Sequence, residues 1–124
     1  MATIKSFTDL QQSKKLAEIL PIESADMCYP KDAFEYHYAK EPVCHYSGIG
    51  LAHPCWSLSA LISVIPQELF DGEYIINITE GLNHKWIISY EHYSEVSSYI
   101  DVSSDNLIDC CVEMIIRLKE RKLL

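Results

Sequence analysis

The stretch "LSALISVI", Leu58 to Ile65, constrains this chain most. Read as a helix, it places Leu58, Leu61, Ile62 and Ile65 at i, i+3, i+4 and i+7, with Ala60 and Val64 on the flanks, so it is apolar nearly all round. Such a segment is expected to be buried on most sides at the centre of the molecule. Its polar members, Ser57, Ser59 and Ser63, are small enough to allow close packing or to bond back to carbonyls. Pro66 ends it, and its start is either Ser57 as N-cap or His53 as cap with Pro54 in the first helical position. It is far short of the roughly 18 residues of a membrane span.

Other elements must enclose it. "FTDLQQSKKLAEILP" offers Thr8 as N-cap with Gln11 at capping-box spacing, a stripe of Phe7, Leu10, Ala17 and Leu20, and Pro21 as terminator. "EYIINITEGLNHKWIISYEHY" alternates as a hairpin, with Tyr74, Ile76 and Ile78 on one face, His84, Trp86, Ile88, Tyr90 and His92 on the other strand, and Gly81 in the turn. Pairing Ile78 with Trp86, Ile76 with Ile88 and Tyr74 with Tyr90 keeps the apolar faces together. "SYIDV" extends the meander, and a last helix starts in "SSDN" with Ser104 as cap and a core stripe of Leu107, Cys111, Met114, Ile115 and Leu118. Residues 21–53 read as irregular, with one strand in "FEYHYAK". At 124 residues the expectation is a single α+β domain over 1–124, three helices packed on a small antiparallel meander.

Net charge is −8, and its distribution says more than its sum. From Glu23 to Glu113 three basic residues stand against fifteen acidic ones, while Arg117, Lys119, Arg121 and Lys122 crowd the C-terminus. An anionic body of this kind repels phosphate backbones and attracts a basic partner, so nucleic acid is not an expected ligand, although mimicry of nucleic acid toward a basic protein is. Neither a membrane nor a cofactor is expected, and a homo-oligomer is left open. Five cysteines without framework spacing, and an opening "MATIKSFTDL" with no apolar run, make a reducing cytoplasm the expected location.

The blocks "FTDLQQSKKLAEILP", "CWSLSALISVIP" and "DNLIDCCVEMIIRLKERKLL", in this order around a Trp-containing hairpin, resemble a group of short uncharacterised proteins from gut Bacteroides-type genomes and their phages or mobile elements. The resemblance covers most of the chain apart from residues 21–53. It implies an accessory, cytoplasmic protein and brings no activity with it.

Three chemistries compete with a plain binding role. "CWSLSAL" is similar to the Cys-Trp step at the head of the catalytic helix in papain-like peptidases, and NlpC-type hydrolases also pair a helix-head cysteine with a strand histidine. In that reading Cys55 is the nucleophile and His84 or His92 the base. The pattern departs from papain's, since His53-Pro54 precedes Cys55 and the only nearby amide donors for an oxyanion hole are Gln11, Gln12 and Gln67. A second reading makes Cys44, His45, His53 and Cys55 zinc ligands, a fitting set of donor types at unfitting spacing. The third, a redox pair at Cys110-Cys111, fails because adjacent helical side chains diverge by about 100°, leaving Cys111 alone on the core stripe. Phosphate loops, nucleophile elbows and His-Glu-x-x-His are absent from the sequence. The leading expectation is a non-enzymatic acidic interaction module, with Tyr36, His37, Tyr38 and Tyr46 as the contact surface.

Overall fold

The computed structural model describes residues 5–30 and 52–124. Among them are three α-helices and two antiparallel sheets of two and four strands, so the α+β class holds. The elements gather into two compact units, Ser6–Val64 and Ile65–Leu124, the second including Lys5.

In the first unit, Phe7 bridges Ser57 and the Thr8 N–H donates to the Trp56 carbonyl at 2.9 Å. Helix α1 (Leu10–Ala17) follows. Its cap is Asp9 and not Thr8. The Asp9 carboxylate accepts the Gln12 N–H at 2.8 Å, and the Gln12 side chain accepts the Asp9 N–H at 3.0 Å. "TDLQQ" contains two competent caps and two glutamines, and burial chooses between them: the Thr8 hydroxyl is taken up inside the fold by the Trp56 N–H at 3.1 Å.

Strands β1 (Met27–Pro30) and β2 (Ala52–Cys55) pair antiparallel, Met27 opposite Cys55 and Tyr29 opposite His53, and α1 packs on β2. Cys55 therefore ends a strand, three residues before α2 (Leu58–Val64) begins. This corrects its expected place at a helix head. Ser57 is the residue that caps α2: its hydroxyl accepts the Ala60 N–H at 3.2 Å and donates to Asp26, which also accepts the Ser57 N–H at 2.9 Å.

The expectation that the 58–65 helix is enclosed on most sides is corrected as well. It buries Ala60 and Leu61, while Ile62 stays 41% exposed and Ser59 and Ser63 lie at the surface. A helix of seven residues has room for one buried stripe, and Ser63 is satisfied outside that stripe by the Ser59 carbonyl at 2.9 Å. The enclosed side chains are those just before it, Cys55 and Trp56.

In the second unit β3 (Glu68–Leu69), β4 (Tyr74–Glu80), β5 (Trp86–His92) and β6 (Ser98–Ser104) form one meander in chain order. Helix α3 (Leu107–Glu120) lies on β5 and β6. The faces of the β4–β5 hairpin are as read from the alternation, but its register is shifted by two. Ile78 faces Ile88, Ile76 faces Tyr90 and Tyr74 faces His92. A shift of two keeps every side chain on its own face, so hydrophobic pattern alone does not distinguish the two registers. The connection decides: Gly81 N–H closes on the Lys85 carbonyl at 2.7 Å, and Asn83 and His84 both take left-handed φ, which leaves His84 in an exposed loop rather than on the strand.

The cap of α3 is Asn106, whose side chain accepts from Ile108 and Asp109, while Ser104 accepts instead from the Asn106 N–H. The helix buries a face wider than the expected stripe, running from Ile108 through Cys110, Val112 and Met114 to Leu118. Both Cys110 and Cys111 are fully buried, correcting the assignment of Cys111 alone. The Cys110 thiol donates to the Val102 and Trp86 carbonyls at 3.5 and 3.6 Å, so sheet backbone receives it. Each fully buried Ile, Leu or Met of this face contributes about 1.5–3 kcal/mol relative to an exposed position.

Candidate functional site

Cys55 sits in a dry polar knot. Its sulfur donates to the Thr8 carbonyl at 3.4 Å and lies 3.5 Å from the Thr8 hydroxyl, which pairs with Ser13 Oγ at 2.7 Å. The Tyr29 hydroxyl donates to the same Thr8 carbonyl at 2.8 Å, and Phe7, Leu10 and Met27 pack around Tyr29 and Cys55. Thr8, Ser13 and Cys55 are all 0% exposed. Burial pushes the Cys55 thiol above its ordinary value, further than its hydrogen bonds with Thr8, Ser13 and Tyr29 lower it, and the Asp26 carboxylate adds to the rise. This environment holds a neutral thiol, the opposite of what a nucleophilic cysteine needs.

His84 and His92, the two candidate bases, have different surroundings. His84 is solvent-exposed beside Glu80 at 3.2 Å. His92 is mostly covered: its Nδ1 accepts the N–H groups of Ser94 and Glu95 at 3.2 and 3.1 Å, which leaves the ring proton on Nε2, 3.8 Å from a Glu73 carboxylate oxygen. Of the zinc set, Cys44 and His45 lie outside the described residues, as do Tyr36, His37, Tyr38 and Tyr46 of the expected contact surface. His53 is half-buried on β2. Among the described residues no group of three or more His, Cys, Asp or Glu side chains is arranged to hold a metal ion.

The feature that sequence reasoning missed lies around His92, at one end of the four-stranded sheet. Phe70, Asp71 and Gly72 take three successive left-handed conformations, φ 54, 57 and 89°. Only the glycine adopts this freely; for a bulky residue such as Phe it is strained by about 1–2 kcal/mol. On the far edge, the β5–β6 register slips between Tyr90 and Glu91: Ile100 faces Tyr90 but Ser98 faces Glu91, so Tyr99 is the extra residue of a β-bulge. Bulges re-aim side chains.

These two irregularities bring rings together. Phe70 stands edge-on to Tyr99 at 5.2 Å and to Tyr74 at 6.2 Å, Tyr74 is edge-on to His92 at 5.3 Å, and His92 stacks on Tyr93 at 4.8 Å and 25°. The cluster is not a core: Phe70 is 47% exposed and Tyr93 69%. Phe70, Asp71, Gly72, Glu73, His92 and Tyr93 line an open cleft of about 500 Å³. Phe70, His92 and Tyr93 contribute rings to its lining, and Asp71 and Glu73 contribute carboxylates. The helix α3 terminus reaches the same rings. Lys122 in left-handed φ and the bond from the Leu123 N–H to the Leu118 carbonyl form a Schellman ending, and Arg121 places its guanidinium carbon 5.3 Å from the Tyr99 ring centre.

Chemically the cleft offers flat ring faces and negative charge, with one imidazole whose acceptor nitrogen is already occupied. That suits binding of a cationic or amphipathic group better than proton transfer. Comparison with family models, with curated proteins and with solved structures found no match.

Proposed function

We propose that this protein is a non-enzymatic interaction module that engages a basic protein partner through the aromatic, acid-rimmed cleft around His92. One observation carries the reading: strained backbone at Phe70 and Asp71 and a bulge at Tyr99 converge on the same place, and what they achieve is display of rings to solvent beside carboxylates. Backbone strain concentrated where side chains are exposed marks a surface kept for recognition rather than for packing. The net charge of −8 adds long-range attraction for a cationic partner. The buried, charge-disfavouring setting of Cys55 supports the same choice over a cysteine hydrolase. The resemblance to short proteins of Bacteroides-type bacteria and their mobile elements fits a cytoplasmic accessory role. Among the described residues no helix is long and apolar enough to cross a membrane.

The test is a pull-down from the organism that encodes the chain, at low and moderate salt, with the wild type beside a Phe70→Ala/Tyr93→Ala double variant. Neither ring belongs to the buried core, so the variant is expected to keep the fold, which an unchanged urea midpoint verifies. A basic protein held by the wild type and lost by the variant is the expected result. Retention of no basic protein at either salt, or equal retention by both, contradicts the proposal.

A further inference from the structure

Resting on the reading of the His92 cleft as the binding face, we propose that the side chain it takes is a partner's arginine, with the guanidinium stacked on the His92–Tyr93 ring pair and its N–H groups turned to Asp71 and Glu73. Four observations converge on this chemistry. The His92 and Tyr93 rings are nearly parallel, and Tyr93 is mostly exposed, so the pair presents a flat aromatic surface at the cleft wall. His92 is held through Nδ1 by two backbone N–H groups, with Nε2 3.8 Å from a Glu73 carboxylate oxygen, so the ring is fixed in place as a platform. Two exposed carboxylates flank that platform within the same lining. Lastly, the ring cluster already holds a guanidinium of the chain itself, that of Arg121 over Tyr99.

Shape selects arginine over lysine. The cleft is open on one side, so it does not surround a ligand with rings as a closed cage for an ammonium group does. A guanidinium is planar, weakly hydrated and able to present a fork of donors to a carboxylate while stacked, whereas an ammonium is a compact and strongly hydrated point charge. An open wall of flat rings beside carboxylates therefore favours the planar cation.

The experiment is a ¹⁵N–¹H shift titration of the full chain at low salt with acetyl-Gly-Arg-Gly-amide and, separately, its lysine counterpart. Saturable shifts at Gly72, Glu73, His92 and Tyr93, with the arginine peptide binding about tenfold tighter, are expected. Glu73→Gln should weaken that binding about tenfold, Tyr93→Ala at least as much, and Ser103→Ala, on the strand away from the cleft, not at all. Equal response to both peptides at these amides overturns the arginine preference and leaves the binding face standing. No response from either also overturns it, and the pull-down with the double variant then decides separately on the face.

Discussion

Replacing Thr8 by valine removes one oxygen and changes almost nothing in shape, yet it should be among the most damaging substitutions in the first unit. The Thr8 hydroxyl accepts the Trp56 N–H at 3.1 Å and pairs with Ser13 Oγ at 2.7 Å, and Thr8 and Ser13 are both 0% exposed. Valine leaves the Trp56 backbone donor unpartnered in a buried interior and strips the Ser13 hydroxyl of its Thr8 partner, leaving it only the weaker bond to the Cys55 sulfur. At about 1–3 kcal/mol for the stranded donor and about 0.5–1.5 kcal/mol for the lost hydroxyl pair, the loss should come to roughly 2–4 kcal/mol. Cys55→Ala provides the contrast. It removes a sulfur's worth of packing, about 1–2 kcal/mol, but strands nothing, because the Thr8 carbonyl still accepts the Tyr29 hydroxyl. Urea unfolding followed by Trp56 fluorescence in a Trp86→Phe background measures both. A Thr8→Val loss below about 0.5 kcal/mol, or smaller than that of Cys55→Ala, would refute the view of Thr8 as the hub and Cys55 as packing around it.

Other outcomes follow from the same structure. Alkylation of Cys55 by iodoacetamide at pH 6 should run well below the rate of a free thiol and rise to it only in denaturant, because the sulfur is fully buried and its ionisation is disfavoured. Stability should fall as pH rises above 9. The Cys111 thiol is pushed from 9.0 up to about 12 by burial, and Cys55, Cys110, Tyr29 and Tyr90 also shift upward, so above the unfolded values the unfolded chain releases protons that the native one retains. Each such group removes about 1.4 kcal/mol per pH unit between its unfolded and folded values; urea midpoints at pH 8, 9 and 10 check this, and Cys111→Val should flatten the slope. Lys122→Gly should stabilise the chain by about 1 kcal/mol, read as a rise of a few degrees in Tm, since a residue with φ 60° after the helix C-cap favours glycine.

The sequence made element types legible where one physical signal dominated. The alternation of Trp86, Ile88 and Tyr90 marks a strand with one buried face, and those residues do share a face of the second sheet. It was silent where two local solutions differ by little. Thr8 and Asp9 both cap helices well, and only the long-range demand of the Trp56 N–H on Thr8 settles which one does. The hairpin register depended on left-handed φ at Asn83 and His84, positions where no glycine advertises it. The apolar pattern at 58–65 overstates burial because apolar side chains need not be covered: Ile62 stays at the surface.

The candidate site was the least legible part, for a related reason. Its parts come from a turn, a strand end, a bulge and a helix terminus, and no periodicity links Phe70 to Tyr93, Tyr99 or Arg121. A left-handed Phe runs against its own local preference, so no propensity argument points to it. One signal was available: His92 at the end of the alternating strand, beside Tyr93. The sequence pattern suggests a base for Cys55, whereas the ring's Nδ1 serves the following turn.

The most direct measurement on the binding face is carbodiimide labelling of carboxylates with glycine ethyl ester, in the presence and absence of the basic protein the wild type retains, read by mass spectrometry. Protection of Asp71 and Glu73 by that protein, lost in the Phe70→Ala/Tyr93→Ala variant, is the expected result. Protection confined to carboxylates away from the cleft, such as Glu113 and Glu120 on α3, would contradict it.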